Sequence, residues 1–149
     1  MSENEFAKQL LAAEVARVGG RVEALAEVGR MLERLTYEPP DVLFDCMAVW
    51  VAESVRVAPL PAGEQARADY DPRLNVRWDL AANPGARVGL QVFAALTNGD
   101  EGMAQALWQV AVEDTSTVRN VALMAVLQIA GRVICEHQGE PETGRDKDL

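Results

Sequence analysis

The chain is poor in the side chains that carry most enzymatic chemistry. It has a single histidine, His137, which excludes multi-histidine metal sites and any dyad or triad needing two imidazoles. Its two cysteines, Cys46 and Cys135, each sit in an apolar run, so a disulfide scaffold is neither needed nor suggested and both are expected as reduced, buried thiols. Aromatic residues are 5% of a composition that is 49% hydrophobic, so the interior must be built from close contacts between Ala- and Val-rich helices rather than around large rings. Of the 14 basic residues only Lys8 and Lys147 are lysine, which together with the Ala, Val and Gly content reads as GC-rich coding and points to a bacterium or phage. A net charge of −9 repels phosphate backbones and anionic headgroups at long range, so neither nucleic acid nor membrane is an expected partner. The charge-free run from Asn120 to Gly131 is shorter than the roughly 20 apolar residues a bilayer span requires. With no charged-then-apolar leader at the start, the expected location is the cytoplasm.

What the sequence does have is a seam. Leu11, Val15, Val18, Val22, Leu25 and Leu32 fall at alternating spacings of four and three, with Gly29 in the vacant slot. A stripe this narrow suits packing against another helix. One long helix is therefore expected from about Glu3 to Leu35, continuous through Gly19-Gly20 because the heptad phase does not shift there. The i,i+3 pairs Glu14/Arg17 and Glu27/Arg30 belong to its wet side.

At 149 residues the chain fits one domain able to bury roughly 70% of its unfolded surface. The expected fold is all-α, a single-domain helical bundle of about five helices over 1–138, with a long irregular loop over 58–83 between helices 2 and 3 and a disordered tail over 139–149. Pro39-Pro40-Asp41 starts the second helix, with Asp41 as its cap. Apolar residues from Val42 to Val57 cover nearly its whole circumference, as in a central helix. In the loop a short helix is expected around Gly63 to Ala68. Leu74, Val76, Trp78 and Leu80 alternate with polar residues, as in an extended segment without a partner strand. Three capped helices follow. Asn83-Pro84 opens the first, Asn98-Gly99 stops it, Asp100 caps the next, and Asp114 or Thr115 caps a last one reaching about His137.

The remaining chemical constellations are weak. Cys135, Glu136 and His137 are consecutive and so point about 100° apart on a helix, which cannot chelate one ion. Asp69-x-Asp71-x-Arg73-x-Asn75 opens like a calcium loop but places Arg73 where an oxygen ligand belongs, Leu74 where the turn needs glycine, and Leu80 where a bidentate glutamate should stand, so Asp-Tyr-Asp-Pro reads as an Asx turn. Asp45, in the first turns of an apolar helix, has a structural role. No cofactor and no metal is expected. Trp50 and Trp108 belong to the interior, and Tyr70, Arg73, Arg77 and Trp78 form the best partner-facing set in the loop.

These features point to a non-enzymatic protein–protein interaction module, an adaptor, assembly factor or inhibitor, homodimeric through the Leu11 to Leu32 seam. Two alternatives compete with it. One is a small nucleic-acid-associated regulator using the helix start from Asp114 to Asn120; the other is a helical bundle enclosing a small ligand.

Overall fold

In the computed structural model, which describes residues 2–74, 76–80 and 83–138, the chain is built mostly from helices. Among the described residues there are six: α1 (Glu3–Val18), α2 (Glu23–Leu35), α3 (Pro40–Val57), α4 (Pro84–Thr97), α5 (Glu101–Glu113) and α6 (Ser116–Gln138). A short antiparallel pair, β1 (Tyr70–Asp71) and β2 (Val76–Arg77), lies between α3 and α4. The helical class matches the sequence reading, with six helices in place of five; the expected tail, 139–149, lies outside the described residues.

The sixth helix comes from a break where continuity was expected. Gly20 takes φ +103°, a left-handed conformation that costs other residues roughly 1–2 kcal/mol. Around it Gly20 N–H donates to Arg17 O and Arg21 N–H to Ala16 O, the paired bonds that close a helix over a left-handed residue. The chain then turns back, and α2 packs chiefly along α1. The heptad phase survives the break by coincidence of spacing: α2 turns Ala24, Val28 and Leu35 inward, a different stripe from Leu25 and Leu32.

Helices α3 and α6 are the inner pair, each packed against α1, α4 and α5 as well as against the other. Two tryptophan N–H groups tie outer helices to α3. Trp50 Nε1 donates to Ala7 O of α1 at 2.8 Å, and Trp108 Nε1 of α5 donates to Pro40 O at 3.0 Å. The scarcity of rings is offset by glycine. Gly85 and Gly89, one turn apart on α4, face α6 so closely that a Cβ on Gly89 would lie 2.6 Å from Ala122 O and one on Gly85 2.7 Å from Val121 Cβ. At 23 residues, α6 is long and apolar enough to cross a membrane by length and composition, which the charge-free run alone did not indicate. Its buried residues, among them Leu123, Val126, Leu127 and Val133, belong instead to the core cluster shared with the other five helices.

Several local expectations change. α3 begins at Pro40 with Pro39 at the cap and no side-chain capping bond, so Asp41 lies in the first turn; proline's fixed φ suits that first position. Gly63 to Ala68 forms a turn and a bridge partner, not a helix. The extended segment does find a strand, because its partner is local: Tyr70 pairs with Arg77 and Asp71 with Val76. The caps at Asn83 and Asp100 are as expected, and Thr115 Oγ1 accepts from Val118 N–H at the start of α6.

Candidate functional site

Residues 8, 11, 12, 15 and 16 share one face of α1, since residues three and four apart are neighbours on a helix. Together with Arg21 after the turn, Glu53 and Arg56 from the last turns of α3, and Ile134 and Gln138 from the end of α6, they line a groove of about 670 Å³. Its floor is aliphatic: Leu11, Ala12, Val15, Ala16 and Ile134. Its rim carries Lys8, Arg21 and Arg56 against a single acid, Glu53, an excess of positive charge on a chain of net charge −9. Arg56 donates to Glu53 from Nε at 3.0 Å and more closely from Nη2. That hydrogen bond holds the Glu53 carboxyl below its ordinary range against the opposing effect of burial, and the charges of Arg56 and Lys8 add to it.

Beside this groove stands an unpartnered ridge. Val22 is 81% exposed and Leu25 59% exposed. With Ala26 and Gly29, also exposed, they occupy positions i, i+3, i+4 and i+7 on the side of α2 that does not face α1. Exposed Glu23, Glu27 and Arg30 all lie along one side of them.

The six seam residues are therefore not one stripe. Leu11 is buried and Val15 half-buried at the groove; Val18 is half-buried at a second, smaller depression lined by Arg17, Trp78, Gln128, Ile129 and Arg132; Val22 and Leu25 face solvent; Leu32 is half-buried against the core. Breaking the helix at Gly20 rotates the second half of the seam away from the first.

The loop set also divides. Arg73 is not partner-facing: its side chain is 1% exposed and its guanidinium makes a two-pronged ion pair with Asp71, Nε to Oδ1 at 2.9 Å and Nη2 to Oδ2 at 2.7 Å. Nη1 reaches Ala58 O at 3.2 Å, Nη2 reaches Thr97 Oγ1 at 3.4 Å, and the charged plane lies over the Phe93 ring. Asp71 Oδ1 also accepts from Arg73 N–H, the Asx turn read from the sequence. This cluster ties the loop to the end of α3 and to α4. A second tie is the Asn98 side-chain amide, which exchanges two 2.8 Å hydrogen bonds with the backbone of Ala66. Tyr70 and Arg77 lie together on the hairpin, with the Arg77 guanidinium 5.1 Å from the Tyr70 ring centre and 3.5 Å from Asp69. Trp78 is half-buried against the core.

Other chemistry-bearing groups have structural duties. Glu14, expected on the wet side, is 1% exposed; it lies against Gly131, where no side chain obstructs it, and receives two 2.7 Å bonds from Arg17. Burial, followed by the charges of Glu3, Asp45 and Glu38, pushes the Cys46 thiol up to about 12, so it is not a thiolate at neutral pH. His137 Nδ1 is 2.9 Å from Val133 O, and Asp45 is exposed. Among the described residues no three His, Cys, Asp or Glu side chains are grouped to hold a metal ion. Arg119 and Asn120 are half-buried, with Arg119 Nε and Asn120 Oδ1 shut away from solvent, which is not how base-reading side chains are presented.

Sequence reasoning missed Lys8, Arg21, Glu53, Arg56 and Ile134. The Glu53/Arg56 spacing is visible on a helix, but the approach of α3 and α6 to α1 that makes a groove of them is not. No family model matches the chain, and no characterised protein or solved structure is significantly similar to it.

Proposed function

We propose that this protein is a non-enzymatic interaction module, an adaptor, assembly factor or inhibitor of the cytoplasm, and that it associates with a second copy of itself through the α1–α2 pair. The observation that carries this reading is the apolar face of α2: Val22 and Leu25, 81% and 59% exposed, point away from the core although the neighbouring Ala24 and Val28 are buried. Adjacent exposed aliphatic residues at helical spacing have a favourable burial of roughly 25 cal/mol per Å² still to gain. The reading treats residues 3–138 as one domain, supported by a core cluster to which all six helices contribute. It is supported further by the use of Cys46, His137 and Glu14 in packing and internal bonding rather than at a shared centre.

Light scattering of the full chain over a concentration series tests it. A mass at a stable multiple of 16.2 kDa, returned to the monomer by Val22→Ser with Leu25→Ser, is the expected result. Both side chains are exposed, so the double variant should keep the fold's stability to within about 0.5 kcal/mol per site. A monomer at every concentration would overturn the self-association.

A further inference from the structure

The depression lined by Arg17 and Val18 of α1, by Gln128, Ile129 and Arg132 of α6, and by Trp78 after β2 has no acid in its lining. Three other depressions each include a carboxylate: Glu53 in the α1/α3/α6 groove, Asp100 between the loop, α4 and α5, and Glu3 with Glu38 where α1, α2 and α3 meet. We propose that the Trp78 depression binds a small aromatic carboxylate, its ring against Trp78, Val18 and Ile129 and its oxygens on the guanidinium groups of Arg17 and Arg132. The site does not depend on self-association. At about 460 Å³ it falls in the range of small-molecule sites, roughly 300–1,000 Å³. Ile129 is buried and Val18 and Trp78 are half-buried, so the walls have an apolar part that a bare inorganic anion would leave unused, and an indole accepts a second ring by offset stacking.

The lining is rich in unspent donors. Arg17 gives Nε and Nη2 to Glu14, each at 2.7 Å, and keeps Nη1. Arg132 gives only Nε, to Glu136 at 3.5 Å, and keeps both Nη groups. Trp50 and Trp108 spend their indole N–H groups on backbone carbonyls, whereas Trp78 Nε1 and the Gln128 amide have no partner among the described residues. Against these donors the lining side chains supply one acceptor, Gln128 Oε1. A carboxylate is the acceptor that a planar guanidinium holds by two parallel bonds. The acids nearby do not take that place. Glu14 is 1% exposed, lies against Gly131 and has both oxygens occupied by Arg17. Glu136 meets Arg132 in an exposed pair, which contributes little and can exchange for a ligand carboxylate. Asp79, next to Trp78 in the chain, is exposed and already engaged. The negative end of α1 is blunted as well, because the carbonyls of Val15, Ala16 and Arg17 accept from Gly19, Arg21 and Gly20 N–H.

Titration of the full chain with 2-naphthoate, followed by the indole N–H cross-peaks of its three tryptophans in proton–nitrogen correlation spectra, tests the site. Trp78→Phe assigns the Trp78 peak by its disappearance. The expected result is a saturable shift of that peak while those of Trp50 and Trp108, 0% and 4% exposed, stay in place. Arg132→Gln should weaken binding about tenfold and Arg132→Lys by less, since lysine keeps the charge and loses the fork. The Arg132 side chain is 41% exposed, so both variants should retain the helical circular dichroism of the wild type. Acetate, which lacks the ring, and 2-naphthalenemethanol, which lacks the charge, should each give no saturable shift. The absence of a saturable shift at millimolar 2-naphthoate overturns the site, and so does an unchanged binding constant in a folded Arg132→Gln variant. Equal affinity for 2-naphthalenemethanol, or saturation by acetate as strong as by 2-naphthoate, overturns the aromatic carboxylate as the ligand class.

Discussion

Gly20 and Gly99 close their helices in the same way, at φ +103° and +81°, yet the two hairpins they join sit differently in the molecule. At both, the residue after the glycine reaches back five positions, Arg21 N–H to Ala16 O and Asp100 N–H to Ala95 O. Beyond the turn the likeness ends. α4 lies against α6 at Gly89 with backbone-to-backbone closeness, α5 is tied to α3 through Trp108, and the residue before Gly99, Asn98, holds the long loop at Ala66. α2 has α1 as its main neighbour, and the outer side of that helix stays uncovered. The same local turn thus joins one helix locked into the core and one that is attached along a single side. An element with few core contacts opens at lower cost, and its free side is where a partner can bind. The candidate interaction face lies at the weakly coupled hairpin for that reason.

The largest effect should come from the buried ion pair that fastens the loop to the strongly coupled side. Asp71→Asn leaves the Arg73 guanidinium, 1% exposed, without its counter-charge, and urea unfolding should show a loss of about 3–5 kcal/mol. A loss below about 1 kcal/mol would mean that the loop is not coupled to α4 as described.

A smaller effect, but one of opposite sign in the two hairpins, is expected from a single added methyl. Gly89→Ala drives a Cβ to 2.6 Å from Ala122 O and 2.8 Å from Ala125 Cβ. Overpacking of about 1–3 kcal/mol is set against the roughly 1 kcal/mol that alanine returns in helix propensity, for a net loss of up to about 2 kcal/mol. Gly29→Ala meets nothing within 4 Å, so only the propensity remains and stability should rise by about 0.5–1 kcal/mol. Thermal melts of the two variants that moved in the same direction would erase the distinction between the hairpins.

The smallest differences lie in where a common local cost is felt. Gly20→Ala and Gly99→Ala each force a left-handed alanine, at about 1–2 kcal/mol. In native-state hydrogen exchange the first should accelerate the amides of α2 and leave α4 and α6 protected. The second should spread its loss over α4, α5 and the loop held by Asn98. A global response to Gly20→Ala would show α2 to be as firmly coupled as α4.

Much of the fold was legible where local chemistry decides. Asn83, Asp100 and Thr115 accept from the first turns of their helices because a short side-chain oxygen at that position reaches N–H groups that no helical carbonyl can satisfy. Asp71 makes its Asx turn for a similar reason of reach. The N-terminal helix was misread because two local signals conflicted. The heptad phase argued for continuity and Gly19-Gly20 for a stop, and only the packing of Ala24, Val28 and Leu35 onto the core decides between them. Glu14 was misread for a related reason: an i,i+3 acid–base pair looks alike on a wet or a buried face, and Gly131, the residue that makes room for it, lies far along the chain. The aliphatic α1 positions Leu11 and Val15 were legible; the groove they line was not, because Arg56 of α3 and Ile134 of α6 reach it only through helix packing.

By itself the sequence determined the helical class, the capped starts of the last three helices and, through its single histidine, the exclusion of sites needing two imidazoles, all properties of residue type and short spacing. The tertiary structure alone decided that the first helix breaks, that Arg73 is a buried anchor and not a surface contact, and that an exposed apolar face of α2 stands beside an apolar groove lined by Lys8, Arg21 and Arg56. Those outcomes depend on which distant residues come within a few ångströms, and a charge or an aliphatic side chain acquires its role only from the neighbour it meets there.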